Sequence, residues 1–167
     1  VKLDNCVFNA SGPRSGSVEA LSKIGQSRAG GIMSKSCTLE KQNGNDMPRA
    51  IQSIDLGPSA CEGSFNSEGL PNLGIDYYIS DANRKVLAEF DKPYMLSLSG
   101  LSLDDNCEML QKALQAGITY IELNLACPNV PGKPIVAYDF AGMDLVCKRI
   151  TDIISQHCRE HPTEQDS

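Results

Sequence analysis

The chain has 167 residues, 41% hydrophobic, 22% charged and 5% aromatic, which suits one globular domain with a sizeable core. No run nears the roughly 18 apolar residues of a membrane span, and no basic-then-apolar leader precedes the first elements. Fifteen Lys and Arg against 21 Asp and Glu leave a net charge of −6, which argues against a broad phosphate-neutralising surface and so against nucleic acid as a partner.

Taken in order, the pattern alternates strand and helix. Cys6 to Ala10 is a short apolar run that stops at the turn signal Ser11-Gly12-Pro13. Ser17 to Ser27 carries Val18, Leu21 and Gly25 at helical spacing, with Ser17 a candidate N-cap. Gly31 to Ser34 reads as a second buried strand, ending in Lys35-Ser36-Cys37-Thr38. Leu39 to Gly74 is rich in Gly, Asn, Pro and Ser, and its length marks it as a functional insertion rather than a connecting loop. A second helix is predicted from Tyr77 to Phe90, with Tyr78, Ala82, Val86 and Phe90 as its apolar stripe. Tyr94 to Leu98 is a third strand, and Leu103, Cys107, Leu110 and Leu114 mark a third helix closed by Gly117. Tyr120 to Leu125 is a fourth strand, followed by a Pro-rich loop from Ala126 to Ala137. From Asp139 a fourth helix presents Met143, Val146, Cys147, Ile150, Ile153 and Ile154 as one stripe. The organisation is thus one unit over 1–155 and a polar tail over 156–167, read as disordered.

The seven cysteines are odd in number, widely spaced and free of any C-x-x-C pair, as expected of free thiols in a reducing compartment. Cys147 falls on the core stripe, and His157, Cys158 and His161 on the polar end, so no metal site is expected from them. The start at Val1 rather than Met reads as a processed protein or a piece of a longer one.

Sequential βα units imply an α/β fold with a parallel sheet. A doubly wound nucleotide fold calls for G-x-G-x-x-G after its first strand, and N-A-S-G-P-R-S-G does not fit it. A (β/α)8 TIM barrel instead places functional groups at the carboxyl ends of several strands. Asn9 to Gly12, Lys35-Ser36, Ser97 to Gly100 and Asn124 stand at four such ends, so the barrel is favoured, with about four of its eight βα units in this chain.

Five blocks then resemble one family: FNASG (8–12), SKSCTLEKQNGNDMPR (34–49), FNSEGLPNLGIDYY (65–78), SLSGLS (97–102) and ELNLACPNVPGKPIVAYDF (122–140). Their order and spacing, over residues 4 to about 155, resemble the dihydroorotate dehydrogenases. NVPGKP after the cysteine points to class 1A, whereas the membrane-bound class has Ser in place of Cys127. The resemblance implies an FMN-containing barrel that oxidises dihydroorotate to orotate in pyrimidine synthesis and passes the electrons to fumarate, in a cytoplasmic homodimer. By position it implies Ala10, Ser11, Gly12, Lys35, Ser36 and Asn124 against FMN. Lys35, Asn66, Gly69, Leu70, Asn124 and Asn129 would hold the substrate, and Cys127 would be the catalytic base.

These residue types suit that chemistry. A thiolate can take a ring proton where water is excluded, and Pro128, Pro131 and Pro134 stiffen the loop that carries Cys127. Asn side chains offer both donor and acceptor to an amide-rich planar ligand. Three departures stand out: Glu68 where the family has Met, Ala126 where it has Ser, and a second family half, with the FMN-phosphate loops, that this chain does not contain. Two alternatives stay open on these residues: an inactive half-barrel with an interaction role, and another FMN barrel of the dihydropyrimidine dehydrogenase type, which lacks the NVPGKP continuation.

Overall fold

The computed structural model describes residues 3–54, 63–130, 132 and 135–162. Its centre is a three-stranded parallel sheet, β1 (Ile32–Met33), β4 (Tyr94–Leu98) and β5 (Tyr120–Leu123), ordered β1-β4-β5. In register, Ile32 lies beside Tyr94, and Met95 to Leu98 lie beside Tyr120 to Leu123. Parallel neighbours cannot be joined by a tight turn, so helices make the crossovers. These are α1 (Val18–Gln26) before β1, α2 (Ile75–Ile79) and α3 (Asp81–Ala88) before β4, and α4 (Leu103–Gln115) before β5; α5 (Phe140–Glu160) follows β5.

Strand periodicity divides the sheet's two faces. Ile32, Leu96 and Leu98 join Leu21 of α1, Leu87 of α3 and Met109, Leu110 and Ala113 of α4 in one buried cluster, with Ile121 and Leu123 packed against it. Their strand neighbours Ser97 and Glu122 point the other way and meet polar partners. The apolar face therefore holds the fold, and the opposite face carries polar groups bonded to one another.

Helix starts follow side-chain caps. The Ser17 hydroxyl accepts from the Ala20 amide, and Ser102 accepts from the Asp105 amide at 3.0 Å while donating to the Asp105 carboxylate at 2.7 Å. The stop at Gly117 stands as expected, with φ +75° and its amide donating to the Leu114 carbonyl at 2.9 Å.

Four expectations are corrected. Cys6 to Ala10 is not a strand; the Asn9 side-chain amide instead donates to the Met33 carbonyl (2.7 Å) and accepts from the Met33 amide (2.9 Å). One side chain thus makes the pair of bonds that a neighbouring strand would make. The helix predicted over Tyr77–Phe90 is broken at Ser80, which leaves helical geometry (φ −58°, ψ 142°) and caps α3. Restarting there changes the phase: Leu87 is buried, whereas Ala82 and Val86 are exposed.

The insertion over Leu39–Gly74 holds an antiparallel pair, β2 (Ala50–Ile54) and β3 (Gly63–Asn66), with Ala50 beside Asn66. The tail read as disordered is helical as far as Glu160. Ile150 and Ile153 pack on the main cluster, Gln156 bonds Glu160 at 2.8 Å, and the His157 and His161 rings stack 4.5 Å apart. The buried stripe of α5 is centred on Val146; Cys147 and Ile154, expected on it, are exposed. Residues 163–167 lie outside the described residues. No helix among those described is long and apolar enough to cross a membrane.

Candidate active site

A cleft of about 360 Å³ opens on the polar side of the sheet, and Lys35, Asn66, Leu70, Cys127 and Asn129 all line it. They come from three chain-distant segments: the end of β1, the exit of the β2–β3 pair, and the loop after β5. Pro13 and Glu68 complete the same wall.

Lys35 is 8% exposed, and its ammonium makes no hydrogen bond or ion pair among the described residues. Its backbone is tied down, the amide donating to the Ser15 carbonyl at 2.9 Å. Burial lowers its pKa, while Cys127 and Glu68 beside it pull in the opposite direction. A cation held without a full set of partners, next to a thiol and a carboxylate, is poised to meet an anion. The contrast with Cys37 is instructive. That thiol is fully buried, donates to the Ser97 carbonyl (3.3 Å) and has its pKa pushed up to about 12 by burial, so it is an inert part of the core.

The amide side chains form the second part of the cleft. Asn129 donates from Nδ2 to Asn66 Oδ1 at 3.1 Å, joining the two loops that carry them. Asn45, which lies in the run QNGND and which the sequence analysis did not single out, braces both. Its Nδ2 lies 3.0 Å from the Ser67 carbonyl and 3.2 Å from the Asn129 carbonyl, and its backbone amide donates to the Glu68 carbonyl at 3.0 Å. Gly69 and Leu70 are buried at this junction and both adopt positive φ, +71° and +56°. A Cβ at Gly69 would stand 2.4 Å from the Asn45 nitrogen, so only glycine allows the turn to close on Asn45.

Ser11, Ser36 and Asn124 do not line this cleft; they belong to a hydrogen-bonded array beside it. Asn124 Nδ2 donates to the Ser36 hydroxyl (3.1 Å), which lies 2.9 Å from the Ser97 hydroxyl. Ser97 and Ser11 both reach Glu122 Oε1, at 2.5 and 2.6 Å. Ala10 and Gly12 flank it through their carbonyls, with Ser15 Oγ 3.4 and 2.9 Å away. Glu122 was the missed member of the array. A charged residue inside the apolar run YIELNL was the available signal.

The parallel α/β sheet thus brings a cation, a thiol and paired amides to one cleft beyond its strand ends, where folds of this class place their ligand sites. The comparisons refine this. The sequence profile of the family described as "Dihydroorotate dehydrogenase" matches residues 1–157, and the chain belongs to that family. It is 42% identical over 152 residues to "Dihydroorotate dehydrogenase A (fumarate)" of Lactococcus lactis subsp. cremoris, covering 89% of this chain and 46% of that relative. To the protein of the same name from Lactococcus lactis subsp. lactis it is 42% identical over 149 residues, 87% of this chain and 45% of the relative. The chain thus spans a little under half the length of the curated relatives it matches.

Proposed function

We propose that this chain supplies the base, the substrate loops and part of the flavin-ring floor of a dihydroorotate dehydrogenase that oxidises dihydroorotate to orotate. The observation that carries this reading is the convergence of Cys127, Lys35, Asn66 and Asn129 on one cleft from segments distant in sequence. Residues 1–155 would be the amino-terminal part of a (β/α)8 barrel, with the β1-β4-β5 sheet as an arc of its wall.

The chemistry assigns each group a task. Cys127, as thiolate, takes a proton from one ring carbon of dihydroorotate while a hydride leaves the neighbouring carbon. Asn66 and Asn129, fixed by their mutual bond, offer donor and acceptor groups to the ring amides and carboxylate. Lys35 holds positive charge where the substrate and the reduced acceptor are negative. The loop from Ala126 to Asn129 carries the base and helps exclude water, so that the proton stays on it.

The donor set fits an FMN ring: the Lys35 ammonium at the cleft, with no hydrogen bond or ion pair among the described residues, and an amide and hydroxyls held at the strand ends. FMN when bound supplies the hydride acceptor, with Ala10, Ser11, Gly12, Lys35, Ser36 and Asn124 as the residues to hold it. Fumarate as the final acceptor, which the names of the relatives support, a homodimer and a cytoplasmic setting complete the proposal.

The test is the visible absorption spectrum of the intact protein before and after anaerobic dihydroorotate. A flavin spectrum that bleaches supports the reading. A colourless protein, or a flavin that dihydroorotate leaves oxidised, overturns it.

A further inference from the structure

We propose that Glu122 is a positioning residue, holding Asn124 in place through Ser97 and Ser36 and tying the turn at Ser11 to the same point. This rests on the reading of Asn124, Ser36 and Ser11 as groups that face the flavin and substrate.

The bonds can be given a direction, although geometry alone allows either hydroxyl of the Ser36–Ser97 pair to donate. Ser97 gives its proton to the carboxyl oxygen Oε1 of Glu122. Having spent its one proton there, Ser97 can only accept from Ser36. Ser36 in turn can only accept from Asn124, which donates from Nδ2. The other end of Asn124 agrees independently: the Ala126 amide, which can only donate, meets Asn124 Oδ1 at 3.1 Å. Both ends of the chain therefore demand the same direction, and the Asn124 amide is held at both its oxygen and its nitrogen.

The location makes the arrangement strong. Ser36 and Ser97 are buried, so neither hydroxyl has water as an alternative partner. Three segments far apart in sequence meet at a single oxygen or one bond from it. Residue 122 sits on the sheet face away from the core, beside Ser97 in the parallel register, so the strand pairing itself delivers the carboxylate to the serine.

The experiment follows the side-chain amide of Asn124 by NMR in the 15N-labelled protein without flavin, and the KM and kcat for dihydroorotate in the holoenzyme. Glu122→Leu removes the acceptor, Glu122→Gln keeps an acceptor oxygen without the charge, and Ser97→Ala cuts the chain while leaving Glu122 intact. Losing one buried bond is expected to speed hydrogen exchange at the Asn124 amide about tenfold in Glu122→Leu and in Ser97→Ala. The double variant should be no worse than either single one, and Glu122→Gln should stay within about twofold of the parent. In the holoenzyme the same two single variants raise KM more than they lower kcat, and Glu122→Gln restores it.

An Asn124 amide that ignores Ser97→Ala, or that Glu122→Gln disturbs as much as Glu122→Leu, overturns the proposal. If Glu122→Leu does not fold, Ser97→Ala and Glu122→Gln still decide the matter. The NMR measurement needs no flavin, so a colourless protein with the expected Asn124 response would sink the dehydrogenase reading alone. A working flavoenzyme without that response would sink this inference alone.

Discussion

The β1-β4-β5 sheet and the segment around β2 and β3 face the same cleft and are built on opposite terms. On the sheet, Ser36 and Ser97 are buried and bonded to each other. On the segment, Phe65 is 69% exposed and Met47 77% exposed, and the polar contacts are made largely by loop amides such as Asn45. A buried polar array tolerates one arrangement because unpaired groups are costly, so the sheet can fix an orientation. The described part of the segment leaves Phe65 and Met47 exposed and is held by loop hydrogen bonds, terms on which local opening costs less than it does in the sheet. Cys127 and Asn129 follow the sheet, and Asn129 is tied to the segment, so the loop that carries the proposed base lies where the two regimes meet.

The comparison can be broken most severely at that junction. Cys127→Ala in the intact enzyme should lower dihydroorotate turnover by about 10²- to 10⁴-fold with flavin still bound. Unchanged turnover would remove Cys127 from the base role. Next in size is the sheet's own stability: Leu96→Ala, at a fully buried position, should cost about 2–5 kcal/mol by urea denaturation. A loss below 1 kcal/mol would show that the sheet is not the rigid partner described above.

Asn45→Ala sharpens the contrast, because it removes the brace without touching the core. It should cost binding about 1 kcal/mol, seen as a roughly fivefold higher KM for dihydroorotate, with little change in Tm. A Tm drop as large as that of Leu96→Ala would make the segment part of the core after all. The smallest effect belongs to Glu68→Met, which removes a negative charge from the wall that carries Lys35. The KM for the anionic substrate should fall about two- to threefold at low salt, with the gain fading as salt rises. A KM that rises, or a gain indifferent to salt, would mean that Glu68 acts through its shape rather than its charge.

Local pattern was enough wherever a residue's neighbours in the chain decide its state. YMLSL became β4 at the predicted bounds, Ser17 capped the helix it precedes, and Gly117 ended α4. The recognisable blocks likewise placed Lys35, Asn66, Leu70, Cys127 and Asn129, which the structure brings to one cleft. Pattern failed where a choice between two local states is made by a distant partner. The run at Cys6 to Ala10 has the composition of a strand, but Asn9 takes over the pairing with Met33. The helix after Tyr77 has one apparent stripe, but a serine cap resets its phase and buries Leu87 instead. The polar end at His157 looked unable to order, yet the packing of Ile150 and Ile153 on the core carries the helix past it.

Local pattern left the roles of Asn45 and Glu122 undecided for a related reason. Residue type tells what a side chain can donate or accept, and both are ordinary in a turn and on a strand. Their importance lies in pairings across the fold, 84 residues from Asn45 to Asn129 and 111 from Ser11 to Glu122. Only the packed sheet and the closed turn at Gly69 bring those groups within bonding distance, because side-chain hydrogen bonds of this range exist only once the apolar face has fixed the backbones that carry them.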